Sequence, residues 1–392
     1  MATPQLDVDQ LRSDTPGCAH VTHFNNAGAS LQPHQVIDTV IEFVRLESEI
    51  GGYETQDQWS EQLDQVYDGA ASFLNCNRDG LALTSSGSEA WWRAFTSVPL
   101  EPGDRVVTSR SEFVSAAAGL LAARERGVDV VDVASLPDGT LDLDAFAEAV
   151  DARTRLVCLT HVPMTQGVVN PVAEATTIAH GVDALVLVDG TQAVGQTPVD
   201  LTAIGCDLYA ITGRKWLRAP RGTGMLFANP VVYDRLLPPL FVDGRSGSWT
   251  EDGYSPAETA LRFEQGERSI SAAAGLGAAL QVANGLGIDA IADRVSELGM
   301  VVRSRLADVD GVTVHDGSAA SVGIIGITVA GRPNADVVQR LRQAGINTAA
   351  PASATSLHDL HDRGLDGIVR IAPHYFNTVE EVDHLARALD SL

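Results

Sequence analysis

An aspartate closes one apolar run, in Val188-Asp189-Gly190-Thr191-Gln192, and a lysine follows the next, in Thr212-Gly213-Arg214-Lys215-Trp216, 26 positions later. A carboxylate in such a place can face a protonated pyridine nitrogen and keep it an electron sink. A neighbouring amine can hold an aldehyde carbon as a Schiff base. Those are the two protein handles that pyridoxal phosphate needs. Most Asp and Lys residues are solvated surface charges, so the pair carries meaning only through its setting. A third handle is Ser86-Gly87-Ser88-Glu89-Ala90, which follows a strand-like run and opens a helix-like one. Its amides and hydroxyls suit a phosphate at a helix N-terminus. Alone, the same stretch reads more readily as an ordinary serine cap.

Alternating strand-like and helix-like segments must position these groups. Strand-like runs fall at Leu81–Thr84, Arg105–Thr108, Val128–Val133, Arg155–His161, Ala184–Asp189, Asp207–Thr212 and Thr223–Ala228, with helix-like stretches at Ser115–Arg126, Leu143–Val150 and Val172–His180. Near-continuous apolar strands separated by helices indicate an α/β domain whose seven-stranded, mostly parallel sheet is covered on both faces. Ligands of such sheets collect at the carboxyl ends of the strands, where Asp189 and Lys215 fall. The Gly/Ser-rich passage Asp243–Ser248 reads as loop and domain connection. Beyond it, helix-like Ser269–Leu286, Ile288–Asp308 and Ala335–Ala344 alternate with strand-like Val322–Val329 and Gly367–Ala372, a smaller α+β domain. A last helix starts at Thr378, with Glu381 completing a capping-box pattern. The expected division is an N-terminal arm at 1–30, a large domain at 31–262 and a small domain at 263–392.

Composition narrows the function. With 392 residues and 45% hydrophobic content the chain can build substantial cores. A formal charge of −24 repels nucleic acid and anionic membranes, so neither is expected as a partner. Cys18, Cys76, Cys158 and Cys206 are scattered without metal-ligand or disulfide spacing, which fits a reduced, cytoplasmic setting and no metal. No cationic-then-apolar leader opens the sequence, and no apolar stretch approaches the ~18 residues of a membrane span, so a soluble protein is expected.

Ordered motifs add a resemblance. Phe24-Asn25-Asn26-Ala27-Gly28, Ser86-Gly87-Ser88-Glu89, His161-Val162-Pro163, Val188 to Gln192, Arg214-Lys215-Trp216, Ala219-Pro220-Arg221-Gly222, Arg262-Phe263-Glu264 and Arg370 to Thr378 follow one another as in fold-type I pyridoxal-phosphate enzymes. From about Asn25 onward the chain resembles the class V aminotransferase and cysteine desulfurase superfamily. The resemblance implies that Lys215 binds the cofactor and then carries the Cα proton of the substrate. It implies that Asp189 faces the ring nitrogen, that Gln192 bonds the ring's phenolic oxygen and that Phe113 stacks on the ring, although Phe113 also reads as plain core. Gly87, Ser88, Thr212 and Arg214 match phosphate-binding positions, Arg214 standing where many relatives have His. Arg370 matches the arginine that grips the α-carboxylate, for which its bidentate fork is suited. Asn26 and Ala27 fall on the substrate side. The resemblance also implies a homodimer with shared active sites, in which Ser248, Trp249 or Thr250 reaches the neighbour's phosphate or is simply loop. Trp91 and Trp92 shape the pocket or pack in the core.

Three departures matter. Many relatives place an Asn near Met164 or Thr165; here only Thr165 or Gln166 could contact the cofactor oxygen. Gly345–Leu357 occupies the region where cysteine desulfurases present a nucleophilic Cys, and no cysteine lies beyond Cys206, so a protein-bound persulfide is not available by that route. Gly51-Gly52-Tyr53-Glu54 and the stretch from Arg363 to Thr378 look like an isopenicillin-epimerase-like and hercynylcysteine sulfoxide lyase-like branch, some members of which act in secondary metabolism, including that of sulfur-containing antibiotics. Tyr53 is then near an active site, or it is a hinge residue after two glycines. The leading expectation is a β-eliminating C–S lyase acting on an S-substituted cysteine. Aminotransfer, epimerisation and decarboxylation-coupled oxidative deamination to an aldehyde share the same cofactor motifs, and a noncatalytic binding protein of this fold is the remaining alternative.

Overall fold

The structure, a computed structural model, describes residues 6–392. Met1–Gln5 of the expected arm lie outside them. Seven strands form the central sheet: β1 (Leu81–Thr84), β2 (Arg105–Ser109), β3 (Asp129–Val133), β4 (Thr154–Thr160), β5 (Leu185–Asp189), β6 (Leu208–Thr212) and β7 (Gly224–Ala228). Their spatial order is β1-β7-β6-β5-β4-β2-β3. Only β7 runs against its two neighbours, β1 and β6; the remaining pairs are parallel.

The inner strands are mostly apolar because both faces are buried, while the edge strand β3 is half-buried, and alternate apolar residues sort between two cores. Val157, Leu159, Val186, Val188, Ile211 and Met225 face one core, which holds the helices Ser60–Leu74, Val172–His180 and Ile270–Leu286. Leu156, Cys158, Leu185, Leu187, Leu208 and Ala210 face the other, covered by Gly87–Ser97 and Val114–Glu125. Ile270–Leu286 packs on His34–Ile50 and Ser60–Leu74, so this helix, counted with the small domain in the sequence, builds the core of the large one.

The C-terminal part is an α+β unit. A three-stranded antiparallel sheet of Val312–Val314, Ile325–Val329 and Val369–Ile371 packs against Ile288–Ala307, Asn334–Gln343 and Val379–Asp390. Thr378 and Glu381 form the expected capping box: the Thr378 hydroxyl accepts from the Glu381 amide and the Glu381 carboxylate accepts from the Thr378 amide. The N-terminal stretch is stitched to this unit, Thr22–His23 pairing in parallel with Ile346–Asn347 and Asn25 bridging Ala372. The passage read as loop runs into an antiparallel hairpin, Gly247–Thr250 with Gly253–Pro256. Its two strands are four residues each and largely exposed, with no buried apolar face, which hides a ladder from any hydrophobic pattern.

Candidate active site

Strand β5 delivers Asp189 to its carboxyl end, paired in register with Ala210 of β6. The carboxylate is buried, 6% exposed, and its Oδ1 accepts one hydrogen bond, 2.9 Å from the Thr191 amide. Among the described residues no basic side chain forms an ion pair with it. Gly190 follows because a Cβ there would strike the Tyr209 ring. That ring's hydroxyl lies 2.7 Å from His161 Nδ1, and the His161 amide donates to the Asp189 carbonyl at 2.9 Å. Burial pulls His161 down to about 4, so it is a neutral prop at physiological pH.

Strand β6 hands on to Lys215 through Gly213 and Arg214. Burial pulls the Lys215 amine down to about 7; Asp189 opposes this, while Arg214 and Arg370 add to it. A large fraction of this amine is therefore uncharged at neutral pH, the state in which it is nucleophilic and basic.

The helix Gly87–Ser97 points its N-terminus at the same strand ends. Ser86 caps it, accepting from the Glu89 amide at 3.1 Å. Gly87 is required by close approach, since a Cβ would run into Thr191 and press on Thr212. Ser88 Oγ lies 3.3 Å from Ser115 Oγ. Arg214 donates to the Gly28 carbonyl and has no acidic partner among the described residues; burial and then the Arg221 charge lower its pKa. Phe113 is half-buried at the cap of Val114–Glu125.

Arg370 comes from the small domain. Val369 and Ile371 on either side of it face that domain's core, so the two-residue period of the strand turns Arg370 the other way. Its Nη1 donates to the Met164 carbonyl at 3.2 Å, its Nε has no partner, and no carboxylate pairs with it among the described residues, although it is only 5% exposed. Burial and the Arg214 charge lower it to about 10, which leaves it cationic at neutral pH.

Other residues singled out in the sequence fall elsewhere or are already engaged. Gln192 Nε2 donates to the Ala27 carbonyl at 3.1 Å and its Oε1 accepts from Trp216 at 2.9 Å. Asn26 spends its side chain on structure, donating to the His23 and Ala372 carbonyls and accepting from Ser30. Thr165, expected to contact the cofactor, donates to Asp359 at 2.5 Å, and Gln166 also reaches Asp359, at 3.3 Å. A hydroxyl beside a buried carboxylate gains a charge-assisted bond, and that competitor was invisible in sequence. Trp91 is core, stacked on Phe95, while Trp92 lines a hollow with Leu240 and Phe241. Tyr53 and Trp249 stand 84% and 85% exposed, with Ser248 and Thr250 beside Trp249 on the hairpin. Among the described residues there is no metal-holding group of side chains and no helix long and apolar enough to cross a membrane.

Sequence reasoning missed Glu112. It is buried, accepts from Ser109 Oγ at 2.9 Å and leaves Oε2 without a partner. Burial, with Asp189 close by, raises it to about 8, so it is protonated at neutral pH. The available signal was an acid directly after the strand run that leads to Phe113.

These groups make a coherent test of the expected cofactor. A buried carboxylate lacks a cation, two arginines lack anions, an amine is poised near neutrality, and a helix N-terminus meets the same strand ends. A ligand cationic at one end and anionic at the other satisfies them together, and pyridoxal phosphate with an amino-acid carboxylate is such a set. The pattern of the family described as Aminotransferase class-V matches residues 22–385. The chain belongs to the class V aminotransferase family. It is a pyridoxal-phosphate enzyme of that family. A protein of Methanothermobacter thermautotrophicus described as a probable cysteine desulfurase is 30% identical, with 99% of this chain and 98% of that protein covered. The fold matches the apo cysteine desulfurase of Thermococcus onnurineus NA1 with a TM-score of 0.91 at 24% identity, covering 100% of this chain and 99% of that one. It also matches the cystine C–S lyase C-DES, solved with its product cysteine persulfide, with a TM-score of 0.85 at 24% identity over 96% of this chain and 99% of that one.

Proposed function

We propose that this protein is a C–S lyase that releases the sulfur of an S-substituted cysteine by β-elimination, without a cysteine nucleophile of its own. The observation that carries the reading is the state of its thiols. Cys158 and Cys206 are buried and burial pushes both thiols up; Cys76 is raised by burial to about 12, and Cys18 is raised as well. None is a ready thiolate at neutral pH. The likeness to a cystine C–S lyase supports elimination, and the relatives named as desulfurases support sulfur chemistry on a cysteine.

In this reading Asp189 faces the ring nitrogen, Phe113 stacks on the ring, and Gly87, Ser88, Thr212 and Arg214 hold the phosphate. Pyridoxal phosphate, when bound, supplies the electron sink that makes a Cα proton of an amino acid removable. Arg370 holds the substrate carboxylate through its fork. Lys215 Nζ, uncharged near neutrality, takes the Cα proton. The Cβ–S bond breaks with its electron pair leaving on sulfur, and water completes the conversion to pyruvate and ammonia. Gln192 retains one amide hydrogen for the phenolic oxygen. We also propose a homodimer, supported by the exposed Leu240, Phe241 and Trp249 on one segment of the surface.

The test is incubation of the holoenzyme with cystine and a panel of S-alkyl cysteines, assaying pyruvate and free thiol or persulfide. Stoichiometric pyruvate supports elimination. Transfer of the amino group to a keto acid, with no pyruvate, rejects it in favour of aminotransfer.

A further inference from the structure

The short helix that follows the Gly345–Leu357 region is fastened down by two carboxylates. Asp359 and Asp362 lie three positions apart on Leu357–Asp362, hence on one face of the turn. Asp362 pairs with Arg110, which follows β2, its Oδ1 accepting from Nη2 at 2.7 Å. Asp359 is buried and accepts from Thr165 at 2.5 Å, from Gln166 at 3.3 Å and from Arg363 at 3.0 Å. The turn that Asp359 grips, just past β4, begins with Met164, whose carbonyl accepts from Arg370 Nη1 at 3.2 Å. Arg370 is itself tied back to the segment before this helix, its amide donating to the Ala349 carbonyl at 2.7 Å.

We infer that Asp359 is a positioning residue for Arg370. It fixes the Met164–Gln166 turn so that the Met164 carbonyl sets the direction of a guanidinium that no carboxylate of the protein holds. A buried arginine with one carbonyl partner and a free Nε has rotational freedom that must be removed before it can bind a carboxylate in one pose. The Asp359 grip fixes the carbonyl that the guanidinium meets, and the Ala349 pairing fixes the Arg370 backbone from which the side chain springs. The helix Leu357–Asp362 is thereby a fixed support of the carboxylate site. This inference rests on the reading of Arg370 as the substrate's carboxylate anchor.

The experiment compares wild type, Asp359→Asn, Thr165→Val, Arg370→Ala and the double variant Asp359→Asn/Arg370→Ala as holoenzymes with cystine as the probe, measuring kcat and KM separately, the cofactor's absorbance and the midpoint of thermal unfolding. The inference expects KM to rise about 10-fold in Asp359→Asn and in Thr165→Val, with kcat within about two-fold and cofactor absorbance unchanged. It also expects Asp359→Asn to add little once Arg370 is already Ala, because the two act on one contact. Should Asp359→Asn not fold, Thr165→Val breaks the same contact from the other side and decides the matter. If Arg370→Ala raises KM but neither of the other variants does, the positioning role is overturned while the anchor reading stands. If Arg370→Ala leaves KM unchanged, the anchor reading fails first and takes this inference with it. A loss of cofactor absorbance in Thr165→Val overturns the inference as well, by showing a cofactor contact instead.

Discussion

Two buried clusters of charge in this protein are built on opposite terms. Glu264 is fully buried and fully occupied: Oε1 accepts from Tyr67 at 2.6 Å and the Leu83 amide at 2.7 Å, while Oε2 takes Arg245 at 2.5 Å and Arg268. Arg218, also buried, donates to the Leu31 carbonyl, Tyr375 and Thr15 and lies over the Tyr375 and Phe376 rings. Asp189 and Arg370 are as deeply placed, yet Asp189 accepts from one amide and Arg370 donates to one carbonyl. A buried charge without a partner is costly, so it persists where a ligand supplies the missing partner. Glu264 and Arg218 find their partners within the protein, whereas Asp189 and Arg370 leave charge for a ligand to meet.

That contrast is broken or sharpened by substitution. Lys215→Ala should lower turnover by about 10²–10⁴-fold or more, the range for loss of a positioned base and nucleophile, with no loss of fold; steady-state rates with circular dichroism check both. Asp189→Asn should cost on the order of 10²-fold in kcat and leave thermal stability nearly intact, whereas Glu264→Gln should cost about 3 kcal/mol of stability on denaturant unfolding. A stability loss in Asp189→Asn equal to that in Glu264→Gln would erase the distinction. Arg370→Ala should raise KM about 10- to 100-fold, the worth of a charge-assisted bond to the substrate, while Arg218→Ala should act on the unfolding midpoint.

Much of this was legible in the sequence, and the reasons differ by region. The seven strands were predicted within a residue or two at each end because a sheet covered on both faces writes itself as uninterrupted apolar runs. The placement of Asp189 and Lys215 was readable because one closes such a run and the other comes three residues after the next. The reversal of β7 was not readable, since a fully apolar strand carries no sign of its direction. The Glu264 and Asp359 clusters were equally hidden: each joins residues far apart in sequence, as Tyr67 with Glu264 and Thr165 with Asp359. Thr165 and Asn26 illustrate the limit. Residue type and motif position suggested a ligand contact; the protein contacts that both side chains make, with Asp359 and with the His23 and Ala372 carbonyls, had no sign in the sequence.

Smaller effects refine the same comparison. Glu112 has a folded pKa near 8 against an ordinary value near 4.5, so the folded state binds the extra proton between those limits. Its contribution to stability is present below about 4.5 and is lost as pH rises through about 8. Glu112→Gln should therefore flatten the decline of apo-protein stability over that window, measured by denaturant titration at several pH values; an unchanged slope would show that Glu112 is not held protonated. The smallest change is expected at the exposed Arg305 and Asp383 pair, 2.9 Å apart, where Arg305→Ala should cost no more than about 1 kcal/mol.

The central claim is that the unpartnered charges around Lys215 hold pyridoxal phosphate. Titration of the apo-protein with the cofactor, followed by absorbance and borohydride reduction, tests it most directly. The expected result is saturation at one equivalent per chain, with a band near the visible edge that reduction fixes to the peptide bearing Lys215 and that Lys215→Ala lacks. Wild-type protein that shows no such band with the cofactor in excess, or that carries the reduced label at the N-terminal amine in place of Lys215, would contradict the account.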